Sequence, residues 1–184
     1  MKKIAILFPT EREASCFRGS DGVSVHVCGV GMAECAATTA RVIATERPDL
    51  MILTGIAGSY TEGLAVGETI VVRSEVVADM GRLSGGEFTP LFQKAYTALV
   101  VPEGYRAVPS NTVNCAGTVI ARPVVAEIEN MEGAGFLAVS EQFGVPAMEV
   151  RTVSNRVGEP IARENLQLST ARLAEELHKI IATL

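Results

Sequence analysis

Apolar residues recur along the chain with two alternating periods. Short apolar or β-branched runs predict strands at residues 3–8, 23–28, 50–53, 69–77, 112–115 and 147–153. Helical spacing predicts helices at residues 32–46, 123–129 and 163–184, and another directly after Glu132. A bend is expected at Arg73 and Ser74, and the glycine-rich residues 79–92 are expected to be irregular. Strands that alternate with helices predict an α/β fold around a central, twisted, mixed sheet.

Composition agrees with this picture and excludes several classes of partner. With 184 residues, 48% of them apolar, the chain is expected to form a single domain over residues 1–184. A net charge of −5 without a basic run argues against nucleic acid or an anionic membrane surface as a partner. No apolar stretch has the length of a membrane span. The apolar start runs into Glu11, Arg12 and Glu13, so we interpret it as a first strand of a cytoplasmic protein, not a signal peptide.

Cysteine and histidine usage favours a protein without a metal. The four cysteines show no Cys-x-x-Cys spacing, and we expect them to be reduced and to behave as small hydrophobes. The two histidines, His26 and His178, lie far apart in the sequence, which argues against a histidine metal site or a Ser-His-Asp triad. The turn at residues 29–31 (GVG) lacks the third glycine of a dinucleotide fingerprint. We therefore predict no metal and no cofactor.

Polar side chains that suit a reaction at a sugar carbon follow three elements. Glu132 precedes an apolar helix, and Arg151 and Asn155 lie at the end of the strand predicted at residues 147–153. Ligands of open α/β sheets bind where strands end, so we expect these side chains to share one crevice. Glu13 follows the first strand and could activate a water molecule, because water attack needs a carboxylate within hydrogen-bond reach.

Structural alternatives exist for the same residues. Glu132 could merely begin a helix, and Arg151 could pair with Glu149 at the surface or be buried against Glu149 or Glu132. For Glu11 we prefer a structural interpretation, in which the acid favours the N-terminus of a helix.

Several of these segments resemble the nucleoside phosphorylase and nucleosidase superfamily. They are residues 9–13 (PTERE), 54–58 (TGIAG), 130–135 (NMEGAG) and 151–155 (RTVSN). The resemblance implies a three-layer fold and an enzyme that cleaves the N-glycosidic bond of a purine nucleoside. The catalytic set that it implies comprises Glu13 as general base, Arg151 as its partner in orienting water, and Asn155 at the base. The substrate-binding set that it implies comprises Met131 and Glu132 at the ribose diol, Gly55, Ile56, Ala57 and Gly58 along sugar and base, and Ser154 and Gly117.

Further segments resemble one branch of that superfamily, the futalosine hydrolases. They are residues 74–81 (SEVVADMG), 88–91 (FTPL) and 112–118 (TVNCAGT). Ile56 stands where the methylthioadenosine-type nucleosidases usually have serine, and Asn155 stands where adenine-specific relatives have aspartic acid. An amide can donate toward N7 and the 6-carbonyl of hypoxanthine, which both accept. The resemblance therefore implies release of hypoxanthine from futalosine, a step of menaquinone biosynthesis.

Other functions stay open at this point. The chain could act on methylthioadenosine, adenosylhomocysteine or aminodeoxyfutalosine. It could instead use phosphate, with Arg12 or Arg73 as the contact, or bind a nucleoside without turnover. Candidates for stacking on the base are Tyr60, Phe88 and Phe92.

A homo-oligomer, dimeric or larger, is also expected. The apolar stripe of residues 32–43, together with the loop residues Ile56 and Leu64, which are expected to be exposed, exceeds what a small monomer covers, and the family resemblance implies a symmetric assembly.

Overall fold

A computed structural model describes residues 2–117 and 126–184. The elements follow in chain order: β1 (Ile4–Phe8), α1 (Glu11–Ala14), β2 (Val23–Val27), α2 (Met32–Glu46), β3 (Leu50–Ser59), β4 (Thr69–Val77), β5 (Gly81–Ser84), β6 (Glu87–Pro90), β7 (Ala95–Thr97), β8 (Ala107–Thr112), β9 (Ile128–Asn130), α3 (Gly133–Phe143), β10 (Ala147–Arg156) and α4 (Arg163–Ala182). Within these described ranges, none of the helices combines the length and the apolar character that a membrane crossing requires.

The fold is the expected α/β arrangement around a central mixed sheet. Eight strands form this sheet, with the order β10-β4-β8-β9-β3-β1-β2, while β7 pairs with β4 at the side. β3 also pairs with β10, so the strands β3, β10, β4, β8 and β9 close into a ring. Parallel pairing of β1, β3 and β10 brings their carboxyl ends to one edge. This edge carries the candidate site.

Helices cover both faces of the sheet. On one face, α4 buries Leu173, Leu177 and Ile180 against apolar side chains of β1, β3 and β10. On the other face, α2 and α3 contribute Cys35, Val42, Ile43, Phe136 and Leu137 to a second apolar cluster. The strands at the centre, β1 and β3, are buried on both sides, which explains their nearly continuous apolar sequence.

Helix boundaries follow local sequence signals. α2 has the predicted bounds: it ends where Arg47 adopts a left-handed conformation with φ of 51°, just before Pro48. α3 ends at Gly144, also left-handed, and α4 begins at Arg163 as predicted. The bend expected at Arg73 and Ser74 is confirmed, because the pairing of β4 with β8 shifts register between Val72 and Ser74.

Several predicted elements were wrong. Residues 79–92 are not irregular, because β5 and β6 form a hairpin around Gly85 and Gly86. The short strand at residues 50–53 continues to Ser59, and the strand predicted at residues 112–115 instead ends at Thr112. In the segment predicted as a helix, residues 128 and 129 belong to β9, and residues 123–125 lie outside the described part of the chain.

The physical argument for an oligomer was also wrong in its details. Leu64 is 3% exposed and packs with Ile70 and Val72, so it is not a surface residue. The apolar side of α2 packs on the molecule's own core through Cys35, Val42 and Ile43. The oligomeric state itself stays a prediction.

Candidate active site

A cavity of about 700 Å³ opens at the edge where β1, β3 and β10 end. It brings together most of the residues proposed from sequence: Glu13, Ile56, Ala57, Gly58, Gly117, Met131, Glu132, Ser154 and Asn155. Gly55 and Arg151 are not part of its lining; they lie behind Glu13 and Glu132. The volume is within the usual range of small-molecule sites.

Glu13 is held in place from two sides at the end of β1. The N-cap Thr10 accepts a hydrogen bond from the Glu13 backbone N–H at 3.2 Å and donates its hydroxyl to Glu13 Oε2 at 2.6 Å. The Ile56 backbone N–H donates to Glu13 Oε1 at 3.0 Å. Burial raises the pKa of the Glu13 carboxyl above its ordinary value, although these hydrogen bonds and the charge of Arg151 oppose the rise. A carboxylate of this kind is suited to accept a proton near neutral pH.

Glu132 also lines the cavity and lies directly before α3. Its Oε1 accepts the backbone N–H of Gly31 at 3.0 Å, and its Oε2 lies 3.3 Å from Arg151 Nη1. The residue is 3% exposed but lines the cavity beside Met131. Both oxygens of Glu132 are thus oriented by fixed donors, which suits a carboxylate that binds a pair of hydroxyl groups.

Arg151 is completely buried, with 0% of its surface exposed, and its contacts favour a supporting role. Its Nε donates to Glu149 Oε1 at 2.9 Å, and its Nη2 donates to Asn130 Oδ1 at 2.9 Å. Burial by itself would lower the pKa of Arg151, but Glu149 and Glu132 outweigh this effect and raise it. The guanidinium therefore stays charged. The alternative of Arg151 buried against Glu149 and Glu132 describes these contacts, whereas a surface pair does not.

Gly55 separates Glu13 from Arg151. The register of β3 and β10 places Gly55 opposite Arg151. A Cβ atom at residue 55 would lie 2.7 Å from Glu13 Oε1 and 2.9 Å from Arg151 Nη1. Only glycine allows the carboxylate and the guanidinium to approach the strand this closely.

Asn155 lies at the cavity wall near the end of β10. Its Oδ1 accepts the Ser154 hydroxyl at 2.8 Å, and its Nδ2 donates to the carbonyl oxygens of Arg156 at 2.8 Å and Glu159 at 3.0 Å. Ser154 is buried, and the Ala57 carbonyl, 3.3 Å from its hydroxyl, is a second acceptor for the same hydrogen. The Asn155 amide must exchange one of these internal partners before it donates to a ligand.

Gly117 lines the cavity and contacts Glu129, a carboxylate to which the sequence interpretation gave no role. The Gly117 N–H donates to Glu129 Oε1 at 2.8 Å, and the Tyr60 hydroxyl donates to Glu129 Oε2. Neither Phe88 nor Phe92 lines the cavity; Phe92 is 84% exposed. Of the stacking candidates, Tyr60 comes nearest, through Glu129, and among the described lining residues none is aromatic.

The lining is acidic. Four glutamates contribute to it, namely Glu13, Glu129, Glu132 and Glu159, and Arg12 is the one Lys or Arg among the described lining residues. Arg73 is not part of the lining. Across residues 2–117 and 126–184, no group of three or more His, Cys, Asp and Glu side chains is arranged to hold a metal ion.

Asn130 is the main residue that sequence reasoning missed. It is buried and its Oδ1 accepts the backbone N–H groups of Glu132 at 2.9 Å and Gly133 at 2.8 Å, besides Arg151. Its Nδ2 donates to Glu75 at 2.5 Å. One signal in the sequence could have indicated a polar partner such as Asn130. Glu75 lies within the β-branched strand β4, and a carboxylate that is buried in such a strand needs polar partners.

This geometry defines a class of protein: an α/β fold with a carboxylate-lined cavity at the ends of its strands. A model of the phosphorylase superfamily matches residues 8–113 and 119–184. The chain therefore belongs to the phosphorylase superfamily.

Proteins whose sequences are similar to this chain include a futalosine hydrolase and a nucleosidase. A futalosine hydrolase from Streptomyces coelicolor is 31% identical over 162 residues, which cover 75% of this chain and 69% of that protein. A 5′-methylthioadenosine/S-adenosylhomocysteine nucleosidase from Shewanella baltica is 32% identical over 168 residues, which cover 77% of this chain and 70% of that protein.

Solved structures share the fold. The crystal structure of the 5′-methylthioadenosine/S-adenosylhomocysteine nucleosidase from Helicobacter pylori with butyl-thio-DADMe-Immucillin-A has a TM-score of 0.81 to this chain at 18% identity. The match covers 100% of this chain and 99% of that one. This likeness supports the assignment of the three-layer fold.

Proposed function

We propose that the chain hydrolyses the N-glycosidic bond of a purine nucleoside, with futalosine as the preferred substrate and hypoxanthine as the released base. The observation that carries this proposal is the pair of anchored carboxylates, Glu13 and Glu132, in one cavity. The coarser part, hydrolysis, also agrees with the relatives, which are named as a hydrolase and a nucleosidase. The chain is an enzyme of that class, an N-glycosidic-bond hydrolase.

In the proposed reaction the glycosidic bond stretches toward an oxocarbenium-like sugar. Glu132 binds the 2′- and 3′-hydroxyls, and its charge stabilises the cationic sugar. Glu13 removes a proton from the attacking water, and its raised pKa suits that role. Electrostatic placement of this kind contributes about 3 kcal/mol or more for each well-placed group.

Arg151 then acts mainly through its neighbours. Because it has no exposed surface and bonds to Glu149, Glu132 and Asn130, we assign it the positioning of Glu132. Direct contact between Arg151 and the attacking water stays a prediction. Such contact would need the guanidinium to reach past Gly55.

Support for hydrolysis over phosphorolysis comes from the charge of the lining. A phosphate dianion placed beside Glu13 would be repelled by Glu13 and Glu132. Arg12 is exposed and lines the cavity, but Arg73 does not, so the described residues offer phosphate a single side-chain cation.

Support for a 6-oxopurine comes from Asn155 and from the first relative. The Asn155 amide can donate toward N7 and O6 once its bonds to the Arg156 and Glu159 carbonyls are exchanged, because each of these carbonyls now accepts one of its two N–H groups. The second candidate is a methylthioadenosine/adenosylhomocysteine nucleosidase, which the Shewanella baltica relative favours.

The test is a substrate panel. Purified protein is incubated with futalosine, inosine and methylthioadenosine, and the free base is quantified by chromatography. We expect the highest kcat/KM with futalosine. Preference for methylthioadenosine would support the second candidate, and binding without release of base from any of the three would contradict hydrolysis.

Two broader assignments accompany this proposal. We propose that residues 1–184 work as one nucleosidase domain, and that the protein is a cytoplasmic homo-oligomer that needs no cofactor. Analytical ultracentrifugation and an activity assay across a dilution series test the assembly. A monomer that is fully active at high dilution would contradict it.

A further inference from the structure

Two carboxyl groups that the proposed reaction does not use directly lie behind the cavity. Glu75 on β4 and Glu149 on β10 are both 0% exposed. Glu75 Oε2 accepts the Thr112 hydroxyl at 2.7 Å, and Glu75 Oε1 accepts Asn130 Nδ2 at 2.5 Å. Glu149 Oε1 accepts Arg151 Nε at 2.9 Å. Each carboxyl group therefore has partners of its own.

A glycine allows the two carboxyl groups to face each other. A Cβ atom at Gly133 would lie 2.5 Å from Glu75 Oε1 and 2.7 Å from Glu149 Oε2. Among the described residues, Glu149 Oε2 has no N–H or O–H donor although it is buried. A hydrogen bond from Glu75 would satisfy it, but only if Glu75 carries a proton.

The surroundings indicate which of the two carboxyl groups holds the proton. Burial raises the pKa of Glu149 as well, but Glu149 contacts the cationic Arg151, and this contact opposes the rise and favours the ionised form of Glu149. Glu75 has the neutral partners Asn130 and Thr112 in direct contact. Burial and then the charge of Glu149 raise the pKa of Glu75 well above its ordinary value. The charged groups that act on the pair from other positions are Arg151 and Glu132.

We propose that Glu75 is a neutral carboxylic acid that donates a hydrogen bond to Glu149 Oε2, and that the ionised Glu149 holds Arg151 against Glu132. The pair is thus a positioning device for the carboxylate that binds the ribose diol. Its catalytic consequence rests on the proposed nucleoside hydrolysis, whereas the shared proton does not.

The proton also balances the buried charge. If Glu75, Glu149 and Glu132 were all ionised, three negative charges would surround the one guanidinium of Arg151. With Glu75 neutral, Glu149 and Arg151 compensate each other. Glu132 then keeps its negative charge at the cavity, where the sugar becomes cationic.

Infrared spectroscopy of the whole protein tests the proton directly. Wild type at neutral pH should show a carbonyl band of a neutral carboxylic acid that shifts in deuterated water. Glu75→Gln should remove this band, whereas Glu13→Gln, a control for a buried carboxyl with a raised pKa outside the pair, should leave it in place. Absence of the band in wild type, or its persistence in Glu75→Gln, would overturn the proposal.

Thermal unfolding provides a second readout that does not depend on activity. Because the pKa of Glu75 is raised in the folded state, the native protein keeps a proton that the unfolded chain releases, so wild type loses stability as pH rises. Glu75→Gln cannot ionise and lacks this loss. The Tm difference between variant and wild type should therefore move in favour of the variant from about pH 5 to about pH 8. A constant difference would count against the proposal.

Kinetics test the positioning role. Glutamine at residue 75 retains a donor for Glu149, so Glu75→Gln should recover most of the kcat/KM that Glu75→Leu loses. Glu149→Gln removes the anion beside Arg151 and should lower kcat/KM by about tenfold or more, because coupled residues of one network share their energetics. The reverse order of severity would overturn the assignment. An inactive wild type that shows the band would refute the proposed function and not the shared proton.

Discussion

Replacement of Glu13 by glutamine separates proton transfer from binding. The glutamine Oε1 can still accept the Ile56 N–H, which donates to Glu13 at 3.0 Å. The Thr10 hydroxyl now donates to Glu13 at 2.6 Å and can rotate to accept from the new amide. Rearrangement of this hydrogen bond should change the free energy of unfolding by no more than about 1.5 kcal/mol. The shape of the site is therefore retained.

The loss of the base should be much larger than this structural cost. General base catalysis contributes about 10²–10⁴-fold, so kcat of Glu13→Gln should fall by at least about 100-fold, equivalent to roughly 2.7 kcal/mol of barrier. KM should stay within about threefold, because the proposed role of Glu13 is contact with the water and not with the nucleoside. Steady-state kinetics on futalosine and calorimetric binding of the nucleoside measure the two effects separately.

The control for this variant lies in the same short helix. Glu11 is exposed on α1, so Glu11→Gln makes the same chemical change outside the cavity and should leave kcat unaltered. Wild-type kcat should also decline as pH falls below the raised pKa of Glu13, since only the carboxylate accepts a proton. A Glu13→Gln protein with kcat within threefold of wild type would refute the reasoning and transfer the role of base to another group.

Three further variants test other parts of the site. Glu132→Gln should raise KM and lower kcat together, because the diol contact is made in ground and transition states; an effect on only one of them would contradict the assignment. Asn155→Asp should lower the ratio of activity on inosine to activity on adenosine. A carboxylate that faces N7 and O6 leaves these acceptors without donors, which costs about 1–3 kcal/mol. An unchanged ratio would mean that Asn155 does not read the base. Gly55→Ala should displace Glu13 and lower kcat and Tm, at an overpacking cost of about 1–3 kcal/mol, whereas Gly19→Ala, with no contact under 3.6 Å, should do neither.

Much of the architecture follows from local signals in the sequence. α2 has the predicted bounds because Pro48 prevents its continuation and Arg47 adopts the left-handed conformation of a helix end. The alternation of strands and helices also predicted the edge at which Glu13, Glu132 and Asn155 meet, since parallel strands end together there. Local signals therefore predicted the edge of the sheet at which the candidate cavity lies.

Elements that depend on distant partners were predicted less well. β9 has only three residues, and its partners are Ser110 to Thr112 on one side and Gly58 and Ser59 on the other. No helical or alternating pattern of so short a segment reveals such pairing. The hairpin of β5 and β6 had a usable signal, because the glycine pair at residues 85 and 86 is a turn sequence.

The polar network behind the cavity needed the structure for the same reason. Glu149 was recognised as a neighbour of Arg151 in sequence, but its burial depends on the strands β3 and β4 on either side of β10. The contact of Glu75 with Glu149 depends on Gly133, which belongs to another element. Spacing along the sequence does not predict contacts that depend on residues from three different elements.

Oxygen transfer from water tests the central claim most directly. The protein is incubated with futalosine in oxygen-18-labelled water, with and without phosphate, and the sugar product is examined by mass spectrometry. We predict one labelled oxygen in the sugar and a rate that is independent of phosphate, because the proposed base, Glu13, would activate water in an acidic cavity. A sugar phosphate without label, formed at a rate that rises with phosphate, would contradict the account.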